Sequence, residues 1–375
     1  MKRILALACS VLLAVAMYSA AAAATKIQIG VVGPMSGPYA AFGAQLRRGV
    51  QMAVDEINAA GGINGEKIAL VVGDDRCDAD RAVTVADQMV AKKVVLVVGH
   101  FCSGASIDAS KVYALEKIIQ ISPASTNPVF TEQRPGPGVF RVVPSDRKQA
   151  TFAGNYIATK FAGKKIAVVG DDSNFGSSLA NGVRKALEAA GQPPAASGSF
   201  AGGQKDFVAL VGELKAAGVD VVYAGGYHTE IGLLVREMRK QGMTAQLIAS
   251  DALVTREFWI IARRASEGTL MSFIADPRKN AAAAAIVKKF KARKIVPEGY
   301  TLHSYEAVKL WAEAAKSAGS TNFDKTVAGL MKVDADTPIG RVRFDNNGDL
   351  MEPQLVWYVW RKGKYRPLEK AASGN

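Results

Sequence analysis

The sequence predicts an α/β protein in which mostly parallel, doubly wound sheets flanked by helices are divided between two lobes. Short apolar runs rich in Val and Ile recur along the chain without polar alternation, as expected of strands buried on both faces. Amphipathic stretches lie between them and give a βαβα series. The 375 residues are too many for one ordinary domain. The chain also echoes itself. Ile29 to Gly33 leads through Ser36-Gly37 into a helical pattern, and Ile166 to Gly170 leads through Asp171-Asp172 and Phe175-Gly176 into another.

The first element is a leader. Lys2 and Arg3 precede an apolar run that ends in small residues at Ala24, the layout of a cleaved signal peptide over residues 1–24. A retained anchor is the alternative, and the alanine-rich end argues against it. No later stretch approaches about 20 apolar residues, so a soluble mature chain is expected. Strands are predicted at 26–32, 67–72, 94–98, 118–121, 165–169, 219–223, 246–249 and 269–273. Helices are predicted at 44–60, 79–91, 106–116, 147–161, 177–190, 205–217 and 230–241, with Gly61, Gly191, Gly218 and Gly242 closing four of them. The Pro-Gly run at 134–138 reads as a rigid loop before a crossover at 140–144. Residues 299–330 are helical and return to the first lobe. Residues 340–368 read as strands around the turn Asn346-Asn347-Gly348. The expected lobes are 25–144 with about 275–350, and 145–274 with about 351–370.

Composition narrows the function. The formal net charge is +13, of which Lys2 and Arg3 belong to the leader. The remaining cations are dispersed along predicted helices, as at Arg47-Arg48, Lys92-Lys93 and 288–294, and read as solvated faces rather than as a nucleic-acid footprint. Beyond the leader two cysteines remain, Cys77 and Cys102. An even count in an oxidising compartment predicts a disulfide, contributing roughly 3–4 kcal/mol through chain entropy. Two free buried thiols are the alternative. No CxxC or Cys/His cluster suggests a metal. The glycine-rich stretch after the first strand is neither GxGxxG nor GxxxxGK[ST], so no cofactor is expected. GxSxG and HExxH are missing too. His100, His228 and His303 are scattered and read as structural, so the chain is not expected to be an enzyme. The segment 73–128 is the most informative. Two strand ends run into hydroxyls, Ser103 to Ser106 and Ser122 to Thr126, where an open α/β sheet presents its crevice.

The succession VGPMSGPYAAFG, GGINGEKI, DDRCDADRAV, GHFCSGAS, ISPASTNP, GGYHTE and a late Ser250-Asp251 resembles the branched-chain (Leu/Ile/Val) amino-acid-binding proteins. These are the periplasmic receptors of ATP-driven (ABC) importers, in the type I binding-protein fold. The resemblance spans essentially the whole chain after the leader. GHFCS with ISPAST is specific, whereas GGINGEKI marks only the wider fold. It implies two lobes joined by a multi-strand hinge, a periplasmic monomer, an amino-acid ligand, an inner-membrane ABC permease complex as partner, and no nucleic acid. In the family, the loops containing Ser103 and Thr126 hold the α-carboxylate. Ala124 offers a carbonyl to the ammonium, and Asp251, where the family usually has Glu, pairs with that ammonium. Tyr227 approaches from the same side, and Cys102 adjoins Ser103. Helix capping is the alternative role for Ser103 and Thr126. Phe101, Phe42 and Phe175 stand where the family often has Leu, Tyr or Trp, and Tyr; each is a pocket residue or simply core. A Phe101 ring in the pocket would favour smaller ligands such as alanine, valine, proline or a short ω-amino acid. The rival readings are a same-fold receptor for an amide, urea or aromatic acid, and an amino-acid sensor without transport.

Overall fold

The computed structural model describes residues 26–368. The expected leader at 1–24, the first residue of the expected first lobe and the last two of the expected second lobe lie outside them. The first lobe is built on five parallel strands: β1 (Ile27–Gly33), β2 (Ile68–Asp74), β3 (Leu96–Val98), β4 (Ile119–Ser122) and β5 (Val139–Arg141). Their order is β2-β1-β3-β4-β5. Helices α1 (Ala40–Ala59), α2 (Ala79–Ala91) and α3 (Ser103–Leu115) connect the first four strands, and the short α4 (Val129–Glu132) precedes β5. Every residue of β3, β4 and β5 is buried, polar Gln120, Ser122 and Arg141 included, as expected of strands covered on both faces.

The second lobe holds β6 (Ile166–Asp171), β7 (Ala196–Phe200), β8 (Val221–Gly225), β9 (Gln246–Ala249) and β10 (Leu270–Ile274). Helices α5 (Asp146–Lys160), α6 (Asn174–Ala189), α7 (Val208–Ala216), α8 (His228–Lys240) and α9 (Arg256–Ala262) accompany them. The chain then runs through α10 (Ala284–Ala292), α11 (Thr301–Ser317) and α12 (Phe323–Leu330) to a hairpin of β11 (Asp334–Thr337) and β12 (Gly340–Arg343). It ends in β13 (Leu355–Arg361) and β14 (Lys364–Pro367), which extend the second sheet antiparallel, in the order β14-β13-β10-β9-β8-β6-β7. The chain therefore passes between the lobes three times: after β5, after β10 and before β13. Helix α11 returns to the first lobe and packs on α1 at Gly49, where a Cβ would sit 2.1 Å from Thr301 O. Only glycine permits that approach.

Several elements differ from the sequence prediction. Strand β5 is only three residues long and was read as crossover. Strand β7, Ala-Ser-Gly-Ser-Phe, is a half-exposed edge strand of small residues with no apolar run. Strand β11 and helices α4 and α9 are likewise additional. Helix α3 begins at Ser103, three residues before the predicted start, because Ser103-Gly104-Ala105 carries no amphipathic signal. The turn at Asn346-Asn347-Gly348 joins only an isolated bridge, Phe344 to Leu350. Gly348 serves instead to meet β5: its carbonyl accepts from Arg141 N at 3.0 Å, and a Cβ there would lie 2.4 Å from Val139 O. The paired strands β13 and β14 turn at Lys362-Gly363.

Candidate functional site

The C-terminal ends of the parallel strands in both lobes face one another across a cleft, the location expected for ligands in open α/β sheets. In the first lobe the loops after β3 and β4 are tied together. His100 is fully buried; its Nδ1 meets Asp75 Oδ2 at 2.6 Å and its Nε2 meets the Tyr113 hydroxyl at 3.0 Å. The His100 carbonyl accepts from the hydroxyls of Ser122 (2.8 Å), Ser106 (3.2 Å) and Ser125 (3.3 Å). Ser125 Oγ also donates to Phe101 O at 3.0 Å. A disulfide joins Cys77 to Cys102 with Cα atoms 5.3 Å apart, fixing the residue before α3 to the loop after β2. Arg141 supports the second loop from beneath, donating to the carbonyls of Ser125 (3.2 Å) and Asn127 (3.0 Å) while its Nε pairs with Asp349 at 2.5 Å.

This scaffold uses Ser106, Ser122 and Ser125 and leaves Ser103 and Thr126 for other work. Cys102, not Ser103, is the N-cap of α3, and no side chain caps that helix. Ser103 Oγ accepts only a 3.3 Å bond from Asn127 N, so its proton is free to be donated. The Thr126 hydroxyl is buried and has no hydrogen-bond partner among the described residues. Both hydroxyls lie beside the N-terminal end of α3, whose orphan N–H groups favour an anion. The helix-capping alternative is therefore excluded for both. Ala124 is buried in the same loop.

Two buried acids, Asp251 and Asp146, face the same space, Asp146 directly beside the Thr126 loop. Asp251, at the end of β9, is buried; it accepts from Gln149 Nε2 at 2.8 Å and from the Tyr300 hydroxyl at 2.6 Å. Burial pushes its carboxyl up. Asp146 opens α5, and its N–H donates to the Thr126 carbonyl at 2.7 Å. Both Asp146 carboxylate oxygens are buried with no hydrogen bond among the described residues. Burial, reinforced by the charge of Asp251, raises Asp146 to about 7; the nearby Thr126 and Ser178 hydroxyls and Arg141 oppose the shift without well-formed bonds to the carboxylate. Two carboxylates thus share a dry region, one of them unanswered, which is costly unless a cation arrives.

Aromatic rings close the space between these polar ends. Phe42 and Phe101 stack with centroids 4.3 Å apart, and Tyr300 meets both edge-on at 5.9 and 5.4 Å. Tyr227 packs on Phe175 at 5.1 Å and on Tyr39 at 4.7 Å, and lies 6.3 Å from Phe101. The lobes touch in this closed arrangement. Asn127 Nδ2 donates to Asn174 O at 2.6 Å, and the Tyr39 hydroxyl donates to Glu230 Oε1 at 3.1 Å.

Comparison with known families settles the ancestry. The family model for the periplasmic binding proteins matches residues 26–364. The chain belongs to the periplasmic binding protein family. Among curated relatives, Leu/Ile/Val-binding protein homolog 1 of Brucella melitensis is 44% identical over 349 residues, covering 92% of this chain and 94% of its own. A Pseudomonas aeruginosa protein named for binding leucine, isoleucine, valine, threonine and alanine is 37% identical, with 92% of each chain covered. The branched-chain amino-acid transporter substrate-binding protein LivJ of Streptococcus pneumoniae, solved with isoleucine, superposes with a TM-score of 0.84 at 27% identity, over 92% of this chain and 99% of its own.

In this binding protein, the candidate site residues fall on loops of the two lobes and in the aromatic cluster between them. Ser103, Thr126 and Ala124 lie on the first lobe, and Asp251 and Tyr227 on the second. Phe42, Phe101 and Phe175 belong to the connected aromatic cluster. Cys102 contributes by holding Ser103 in place, since its sulfur is in the disulfide. Asp146, Tyr300, Gln149 and Tyr39 escaped the sequence reading. Ser145-Asp146 before a helical pattern looks like ordinary capping chemistry, and Tyr300 joins the cleft only because α11 folds back onto the first lobe.

Proposed function

We propose that this protein is a periplasmic receptor that closes its two lobes over a neutral amino acid and delivers it to an ABC importer in the inner membrane. The observation behind this reading is the pairing of two free hydroxyls, on Ser103 and Thr126, with two buried carboxylates, Asp146 and Asp251. Such a cleft suits a small zwitterion: donors and a helix N-terminus for the carboxylate, acids for the ammonium. The ligand then bridges both lobes, and its preference for the closed state drives closure. The names of the curated relatives support an aliphatic amino acid. The lobes in this reading are 25–144 with about 275–350 and 145–274 with about 351–370, moving about the three crossovers. The receptor works as a monomer after a signal peptide at 1–24 is removed, and it performs no chemistry on its ligand.

The stacked Phe42-Phe101 pair favours a short side chain, because Phe101 takes room from the aliphatic end of the ligand. Alanine, valine or proline then binds at least as well as leucine. A thermal-shift screen over amino acids and small carboxylates tests the function. A ligand at a hundredfold its Kd stabilises the folded state by about 2.7 kcal/mol. A response to neutral amino acids is expected; a response only to amides, urea or aromatic acids would replace this reading with the same-fold alternative.

A further inference from the structure

A groove of about 570 Å³ lies where the two lobes meet on the surface, outside the amino-acid cleft. One wall, Val296 and Glu298, belongs to a segment fixed to the first lobe. There Tyr300 N donates to Gln45 Oε1 at 3.0 Å, and Arg293 pairs with Asp55 at 2.5 Å. The other wall comes from the second lobe: Arg256 and Trp259 on α9, and Trp360, Lys362, Lys364 and Tyr365 on the terminal hairpin. Gly363 rests directly on the indole of Trp259, where a Cβ would lie 2.9 Å from Cε2.

The polar lining consists almost entirely of donors. The Trp360 side chain is buried at 1% exposure, and its Nε1 has no hydrogen-bond partner among the described residues. Arg256, Lys362 and Lys364 have no ion-pair partner among the described residues, whereas the neighbouring Arg278 is answered by Asp276 at 2.8 Å. The one acid of the wall, Glu298, is pushed up by burial despite Arg278, Arg48 and Arg256. Between the cations lie aromatic faces and Val296, which is 62% exposed. The unpaired cations call for an anion, and an aromatic floor calls for an apolar group. The cations come from separate elements, Arg256 from α9 and Lys362 and Lys364 from the terminal hairpin, which fits several carboxylates spaced along a chain better than a single phosphate.

We propose that this groove docks an acidic segment of a partner protein, with carboxylates flanking an apolar side chain. The chain's strongly positive net charge, +13 with the leader included, complements such a partner. Trp259 and Trp360 line the groove, so intrinsic fluorescence reads its occupancy. The probe is an acetylated, amidated peptide Asp-Leu-Glu-Leu-Asp, titrated into the mature protein and into an Arg256→Glu/Lys364→Glu variant. Its uncharged counterpart, Asn-Leu-Gln-Leu-Asn, inorganic phosphate and anionic phosphatidylglycerol vesicles are titrated in parallel. Saturable binding of the acidic peptide is expected, at least tenfold tighter than the uncharged one, weakened by 0.5 M salt and lost in the double variant. Unchanged thermal stability and amino-acid affinity would show the variant to be folded. Equal binding of the two peptides would overturn the proposal, as would acidic-peptide binding that survives charge reversal. Saturation by phosphate or vesicles with no response to the acidic peptide would also overturn it.

Discussion

Replacing Asp146 by Asn separates the electrostatics of closure from its shape. In the closed arrangement burial and Asp251 raise the Asp146 carboxyl to about 7, roughly three units above an ordinary aspartate. If opening the lobes returns water to Asp146, closing the empty cleft over its ionised form costs at most on the order of 4 kcal/mol near neutral pH, at 1.36 kcal/mol per unit. The sign follows from the raised value. Closure without ligand is least opposed below about pH 4; the penalty grows as pH rises from about 4 to 7 and levels off above that. A ligand ammonium offsets that penalty, so the cleft closes on ligand and stays open without it. Asn keeps the volume and removes the charge. Small-angle scattering of ligand-free protein between pH 5 and 8 reads closure, and calorimetry reads affinity. The wild type is expected to expand as pH rises, while Asp146→Asn stays compact throughout and binds the amino acid at least 30-fold more weakly. The same pH response in both proteins, together with a Kd changed less than threefold, would refute the role assigned to Asp146.

Other perturbations address the remaining parts of the site. Asp251→Ala leaves the ammonium short of a partner in a dry cleft and costs roughly 2–5 kcal/mol of affinity, read by calorimetry; unchanged affinity would remove Asp251 from the site. Phe101→Leu enlarges the aliphatic end, and with about 0.8 kcal/mol per buried methylene the leucine-to-alanine affinity ratio should rise several-fold. An unchanged ratio would return Phe101 to the core. Replacing both Cys77 and Cys102 by Ser opens a loop spanning a sequence separation of 25 residues and lowers stability by about 3.5 kcal/mol in denaturant melts. A loss below about 1 kcal/mol would show that the bridge hardly restrains the unfolded chain.

The central strands were legible because burial on both faces leaves short apolar runs, as in Leu96–Val98 of β3 and the Val-Val-Tyr-Ala start of β8. Two edge strands were not: β7 buries little and β5 is too short to show a period. The hydroxyl loops were legible from composition, but composition could not say which hydroxyls are spent on scaffolding. That division depends on the His100 carbonyl, which collects Ser106, Ser122 and Ser125 from separate parts of the chain. Asp146 was hidden for a different reason. An acid in the first turn of a helix is favourable in almost any protein, and only the crossover after β5 turns this one into the cleft. Tyr300 depends in the same way on the return of α11 to the first lobe, a contact between distant segments that no local pattern encodes.

The claim that both charges of a zwitterion are read at once has a direct measurement. Calorimetry on ligand-stripped protein compares the amino acid that gives the largest thermal shift with its amide and with its deaminated acid. The expected result is binding of the amino acid, with both analogues weaker by at least a hundredfold. The amide lacks the charge for Ser103, Thr126 and α3, and the acid lacks the ammonium for Asp146 and Asp251. Comparable affinity for either analogue would contradict the two-ended recognition on which the proposed function rests.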